Sequence, residues 1–171
     1  SNSFAVVLMN QILGQEGIRT ATAADIGRIL RANALDLRSH YEDLALVLRD
    51  TENPNNYLAK DLERQLKERG KVQYPAMVNL SDLELVNDQN SPQGLSFKLK
   101  EDAEVIHAKV LNDRNNLKTF SETDDKGLPI FTNDGSKKLY TGDSGLSRLC
   151  LDGGLDLNSN WDLLYSSNTN G

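Results

Sequence analysis

The chain has 171 residues, of which 38% are hydrophobic and 26% charged, and its formal net charge is −6. This composition is that of a folded protein rather than of a disordered chain. The longest apolar run, residues 4–9, is far shorter than the ~20 residues that cross a bilayer. The acidic charge argues against nucleic acid as a partner, because binding to the phosphate backbone requires clustered Lys and Arg.

The charge is distributed unevenly along the chain. Residues 1–71 carry ten basic and ten acidic side chains, whereas residues 72–171 carry nine basic and fifteen acidic ones. The first region has leucines at helical spacing, and the second reads as short apolar stretches between Asn, Asp, Gly and Ser. We therefore predict a helical region over 1–71 and an acidic, β-rich region over 72–171, packed either as one compact unit or as two small domains.

The first predicted helix runs from Phe4 to about Gly14 and is apolar around most of its circumference. A strand over 4–9 is the alternative, because short apolar runs are ambiguous. A helix of this kind has to be covered on more than one side. We therefore expect it to bind a protein partner, to form a homodimer or to pack against the acidic β-rich region.

Three further helices are predicted before residue 71. Thr22 and Asp25 form a variant of the capping box at the start of the second helix. The third is predicted over 35–49, and the fourth over 56–69, ending at Gly70. The residues on the apolar stripes of the last two helices, which we expect to be buried, are Leu37, Tyr41, Leu44, Leu48, Leu58, Leu62 and Leu66.

Strand patterns dominate beyond residue 71. Residues 95–100 alternate strictly between apolar and polar, and residues 83–86 are a second strand candidate. Residues 103–111 read as a hairpin partner or a short helix. Later apolar stretches recur about every ten residues with turn signals between them. The predicted fold is therefore α+β, with about four helices followed by a mainly antiparallel sandwich, barrel or meander.

Residues 142–145, Gly-Asp-Ser-Gly, match the tetrapeptide around the nucleophile of chymotrypsin-like proteases. That chemistry needs a histidine base beside the serine, and the chain has only His40 and His107. Neither has the flanking sequence of such a base, and the tetrapeptide also makes a good hairpin loop. We predict that Ser144 lies in a surface turn with neither histidine within hydrogen-bonding distance.

Other residues with reactive or metal-binding side chains have structural explanations. Glu104 and His107 have the Glu-x-x-His spacing of di-iron sites, but those sites need two such pairs and two more glutamates. Cys150 lies between leucines and is expected to be a buried, inert thiol. The acidic turns around Asp124, Asp134, Asp143, Asp152 and Asp156 could hold calcium, yet none fits the EF-hand loop. We assign no catalytic, cofactor-binding or metal-ligating residue and no cofactor.

Residues 22–50 resemble a helix-turn-helix in their spacing, with Arg38, His40 and Tyr41 near the start of the second helix. Acidic residues on that helix would repel phosphates, and Tyr41 belongs to the apolar stripe. Because of these objections, a DNA-binding regulator is an alternative function and not the main interpretation.

We interpret the chain as a non-enzymatic protein-interaction or regulatory module. The reasons are the small number of histidines, the absence of a phosphate-binding glycine loop and the wide apolar surface of the first helix. A hydrolase whose carboxylates come together from acidic loops is the other alternative. A single cysteine suits a reducing compartment, so the cytoplasm is taken as the default location.

Overall fold

The computed structural model describes residues 2–112, 118–142 and 144–163. The helices in this part of the chain are α1 (Ser3–Leu13), α2 (Ala23–Ala32) and α3 (Asn56–Glu68). The strands are β1 (Glu42–Leu48), β2 (Ala76–Asn79), β3 (Leu83–Asn87), β4 (Leu95–Leu99), β5 (Ile106–His107), β6 (Lys118–Thr123), β7 (Pro129–Phe131), β8 (Lys137–Tyr140), β9 (Leu146–Leu151) and β10 (Leu157–Trp161). Eight strands form a curled, mainly antiparallel sheet in the order β5-β2-β1-β9-β10-β8-β6-β7, and β3 pairs with β4.

The predicted four-helix N-terminal half is wrong, because residues 42–48 form a strand and not part of a helix over 35–49. β1 pairs antiparallel with both β2 and β9 in the middle of the sheet. A strand buried on both faces has a nearly continuous apolar sequence, and residues 44–48 read Leu-Ala-Leu-Val-Leu. The four-residue spacing of Leu44 and Leu48 therefore fits either structure. The fold is a sheet-dominated α+β structure.

Five of the seven side chains predicted to be buried are so, whereas Leu37 and Tyr41 are half-buried. Leu46 and Leu48 of β1 pack with α1 and α3 in one hydrophobic cluster. Ala45 and Val47 point to the other face and pack with α2 and the curled strands. β1 thus separates two cores. β1 belongs to region 1–71 and pairs with β2 and β9 of region 72–171. The division of the chain into folding units stays a prediction.

Helices α2 and α3 follow their sequence signals. Thr22 caps α2 by accepting from the Asp25 N–H, and the Asp25 carboxylate accepts from the Thr22 N–H, as the capping box predicts. Gly127, at φ +82°, lies against the backbone of Ala23, where a Cβ would collide with the start of α2. α3 buries its apolar stripe and begins after Asn55, which has a left-handed backbone.

The β3–β4 hairpin confirms the two strands predicted over 83–86 and 95–100. A glutamine side chain bonds to the outer edge of each strand. Gln11 of α1 accepts from the Leu85 N–H of β3 at 2.8 Å. Gln65 of α3 donates to the Phe97 carbonyl at 2.7 Å and accepts from the Leu99 N–H at 2.9 Å. These bonds occupy backbone groups that would otherwise be open to another strand.

The rest of the β region differs in detail from the sequence prediction. Residues 103–111 contain the short strand β5, which pairs with β2 and not with β4, and a 3₁₀ turn at Lys109–Asn112. The last strand of the described chain is β10 at Leu157–Trp161, and residues 164–171 are outside the described part of the chain. Among the described residues, no helix is long and apolar enough to cross a membrane.

Candidate functional site

Helix α1 is held in one orientation by specific contacts. Asn10 is 2% exposed, and its amide donates to the Thr20 hydroxyl at 2.8 Å and accepts from the Thr20 N–H at 2.7 Å. The ring of Phe4 stacks on Phe97 with centroids 4.8 Å apart. With the Gln11 bond to β3, these contacts determine which side of the helix faces the protein and which faces solvent.

The side that faces solvent is the more apolar one. The buried stripe of α1 consists of Ser3, Val6, Val7 and Asn10. The opposite stripe, which we call the α1 apolar face, consists of Ala5, Leu8, Met9 and Ile12. Its three large side chains are 50%, 44% and 62% exposed, in that order. The buried stripe contains two valines and two polar residues, whereas the exposed stripe is entirely apolar, which departs from the polar outer side that a surface helix usually has.

The remaining large apolar side chains that are exposed lie on separate elements. Ile18 follows α1, Leu35 lies in the loop after α2, Val105 precedes β5 and Ile130 is on β7. Single apolar residues on a surface are common and need no function. The regular row on α1 is different, because its positions follow the i, i+3, i+4, i+7 spacing of a single helix face.

The α1 apolar face also lacks charge. The first charged residue of the sequence is Glu16, beyond the end of the helix. The first turn of α1 contains no acidic residue and the last turn no basic one. The Asn2 side chain accepts from the Ala5 N–H at 2.9 Å, which satisfies one N–H group at the helix start. The partial charges at the two ends of α1 are therefore not matched by charged side chains of its own first and last turns.

A second candidate region is a polar cleft of about 580 Å³ beside the start of α2. Segments that are far apart in sequence meet there, and its charged side chains are Arg19, Arg28, Asp82, Lys100, Asp102, Glu104, Asp125 and Lys126. Several of them are paired. Lys126 forms an ion pair with Glu104, and Lys100 donates to the Ser81 carbonyl at 2.9 Å.

The carboxylates around the cleft have opposite pKa shifts. Partial burial raises the pKa of Asp82, and the nearby charges of Asp102 and Glu104 raise it further. Burial acts in the same direction on Asp25, but hydrogen bonds from Arg19 and Thr22 outweigh it and hold the pKa of Asp25 well below its usual value. The cleft therefore contains one carboxyl with a raised pKa next to two other acids, which is one of the features of acid–base catalysis by carboxylates.

The two histidines lie far from Ser144. Ser39, next to His40, bonds to the Gly153 carbonyl beyond the end of β9, whereas Ser144 precedes its start, so a strand of ~17 Å lies between them. His107 is on β5, three strand spacings or ~14 Å from β9. Ser144 is half-buried, and its carbonyl accepts from Arg49 at 3.4 Å. The prediction that no imidazole reaches Ser144 is confirmed, and Asp143 lies outside the described residues.

The other motifs from the sequence have structural explanations. Glu104 and His107 do not share a helix face, because Glu104 precedes a strand and His107 is exposed on it. Cys150 is 1% exposed, and burial raises its pKa to about 12, which keeps the thiol protonated at neutral pH. The carboxylates of Asp124 and Asp152 each accept backbone N–H groups of their own turns.

The alternative of a helix-turn-helix over 22–50 is wrong as a structure, because β1 occupies the place of the second helix. Arg38 forms an exposed ion pair with Asp36 at 2.8 Å. Tyr41 stacks on Trp161 with centroids 6.1 Å apart. These residues therefore do not form the reading surface of a recognition helix.

The sequence did not indicate the cleft. Asp82 and the acids at 102 and 104 are about twenty residues apart, and only the pairing of β3 with β4 brings them together. Within residues 2–112, 118–142 and 144–163, no group of three or more His, Cys, Asp or Glu is arranged to hold a metal ion. Comparison with protein-family models, with curated proteins and with solved structures finds no match to this chain.

Proposed function

We propose that this chain is a non-enzymatic protein-interaction module whose docking surface is the α1 apolar face. The observation that carries the proposal is the second apolar face of α1: Val6 and Val7 are buried against the protein, and Leu8, Met9 and Ile12 are exposed on the opposite side. Exposed apolar surface costs ~25 cal/mol per Å² in water relative to burial, so covering this row favours association.

The α1 face fits a known mode of recognition. Helices that dock into apolar grooves present anchors at i, i+3, i+4 and i+7, and Ala5, Leu8, Met9 and Ile12 have this spacing. The contacts of Phe4, Asn10 and Gln11 hold the helix in place before binding. Little conformational entropy is therefore lost when a partner covers the face.

The test is photo-cross-linking from the face in an extract of the source organism. A photoreactive amino acid replaces Met9 in one sample of the full chain and Leu35 in the control. Both residues are exposed apolar side chains, but Leu35 lies in a loop. We expect a discrete cross-linked product from position 9 and not from position 35. Absence of a product from position 9, or the same product from both positions, contradicts the proposal.

A hydrolase acting through the polar cleft is the second candidate, favoured by the raised pKa of Asp82 beside Asp102 and Glu104. It ranks second because Glu104 is already paired with Lys126. Its test is turnover of nitrophenyl glycosides by the full chain and by Asp82→Asn. Loss of turnover in the variant supports the hydrolase, and absence of turnover by the parent chain rejects it for this substrate class.

The raised pKa of Asp82 also predicts how the same variant changes stability, whether or not the residue is catalytic. A carboxyl with a raised folded-state pKa makes its contribution to stability at low pH and loses it as pH rises through that pKa. We therefore expect Asp82→Asn to be more stable than the parent chain at neutral pH, with a difference that disappears below the ordinary aspartate pKa of ~4. Urea unfolding at several pH values measures this.

A further inference from the structure

We infer that the partner of the α1 apolar face is a second copy of this chain, with the two α1 helices antiparallel about a two-fold axis. The inference rests on the proposed docking function of that face and specifies its occupant. Three observations carry it: the lack of charge on the face, the unmatched charges at the helix ends and the order of side-chain sizes along the row.

The charge of the protein restricts which surfaces of two copies can meet. Each copy has a formal net charge of −6, so most contacts between copies place like charges near each other. Residues 1–15 contain no charged side chain, so the α1 helices themselves add no like-charge repulsion when their apolar faces meet. A basic partner would find no acid on the face to pair with and would lose hydration without compensation.

The ends of the helix favour the antiparallel direction. A helix carries partial positive charge at its N-terminus and partial negative charge at its C-terminus. The first and last turns of α1 contain no side chains of the complementary charge. In an antiparallel pair, each end lies beside the opposite end of the second helix, and Glu16 lies near the N-terminus of the other copy. A parallel pair would place like ends together.

The row of side chains is complementary to itself. Leu8 and Met9 are at the centre, and Ala5 and Ile12 are at equal distances on either side. A two-fold axis through the centre therefore places Leu8 opposite Met9 and the small Ala5 opposite the large Ile12. A two-fold contact requires such pairing, in which one surface fits its own copy.

The size of the face determines the strength of the dimer. A stable dimer buries ~800 Å² per partner from ~20–30 residues, whereas this face presents four side chains of one short helix. We therefore expect a weak dimer whose population rises with protein concentration.

Sedimentation equilibrium of the purified full chain tests the occupant. The variant is Ile12→Asp, and the matched control is Leu35→Asp, because the two side chains are 62% and 61% exposed and acquire the same charge. We expect Ile12→Asp to lower the association constant at least ~tenfold, as a loss of about 1.4 kcal/mol would, and Leu35→Asp to leave it unchanged. A parent chain that is monomeric at all concentrations, or equal effects of the two substitutions, overturns the inference.

Disulfide cross-linking tests the arrangement. Cys150 is buried, so introduced cysteines provide the accessible thiols among the described residues. Random pairing in an equal mixture of Ala5→Cys and Ile12→Cys chains forms the mixed disulfide about twice as fast as either chain forms a disulfide with itself. We expect the mixed disulfide to exceed this statistical ratio by a wide margin, and a ratio at or below it overturns the antiparallel pair.

The two proposals fail in different ways. A product from position 9 in the extract that contains a different protein, together with a monomeric purified chain, overturns self-association and leaves the docking function standing. Absence of both the product and the dimer rejects both.

Discussion

Helices α1 and α3 pack into the same hydrophobic cluster, but they present different surfaces to water. α3 buries Leu58, Leu62 and Leu66, and its outer side carries ion pairs such as Arg64 with Glu68. α1 buries Val6 and Val7 together with Ser3 and Asn10, and it exposes its apolar row. The outer surface of α3 is suited to solvent, whereas that of α1 is suited to a partner. This difference supports a docking role for α1.

The comparison predicts, first, that replacing a buried leucine of α3 lowers the free energy of unfolding much more than replacing an exposed isoleucine of α1. Leu62→Ala in α3 should lower the free energy of unfolding by about 3 kcal/mol, because Leu62 is 2% exposed and its loss leaves a cavity. Ile12→Ala in α1 should cost less than about 1 kcal/mol, since Ile12 is 62% exposed. Urea unfolding at a concentration where the chain is monomeric measures both. Similar costs would show that the α1 apolar face is not on the surface.

The polar residue inside α1 provides a sharper test. Asn10→Ala should lower the free energy of unfolding by about 2 kcal/mol, because the Thr20 N–H and hydroxyl lose their buried partner. Gln15→Ala, at an exposed position just after α1, is the control and should stay within about 0.5 kcal/mol of the parent chain. If the two variants have equal stability, the bonds of Asn10 do not hold α1 in place.

The two helices should also differ in their response to alkaline pH. Burial and a hydrogen bond to Glu63 of α3 raise the pKa of Tyr74 to about 12. A raised folded-state pKa means that this stabilisation is complete below the ordinary tyrosine pKa of ~10 and is lost as pH rises towards 12. Tyr74→Phe should lower the free energy of unfolding by about 1 kcal/mol at neutral pH. It should also remove the part of the alkaline destabilisation that comes from ionisation of Tyr74.

The measurement is urea unfolding of the parent chain and of Tyr74→Phe between pH 9 and 12. The difference between them isolates Tyr74 from other groups that titrate in this range. α1 contributes no titratable side chain, because residues 3–13 contain none. A constant difference across the range contradicts the assignment.

The smallest expected effect concerns the surface of α3. Arg64 bonds to Asp61 and Glu68, each at 2.9 Å, but its side chain is 58% exposed. Arg64→Ala should therefore have the smallest effect on thermal stability of the substitutions described, and that effect should fade in ~1 M salt. Lys60→Ala, at an exposed position of the same helix, is the control. Thermal unfolding at two salt concentrations measures the difference, and a cost that does not depend on salt would point to packing instead.

Local signals in the sequence predicted several elements correctly. The capping box of Thr22 and Asp25, the leucine stripe of α3 and the alternation of β4 all appear in the structure. Each depends on residues a few positions apart, so the local chain carries enough information. The sequence also predicted an apolar helix at the N-terminus, although not which of its sides is exposed.

Tertiary structure decided the rest. β1 is a strand because β2 and β9 supply partners for its backbone and both of its faces are covered, while its leucine spacing fitted a helix equally well. The exposed side of α1 depends on Thr20, Leu85 and Phe97, which hold the helix from distant positions. Short-range periodicity determines where helices and strands can form, but only long-range pairing determines which of them is chosen and which face remains open.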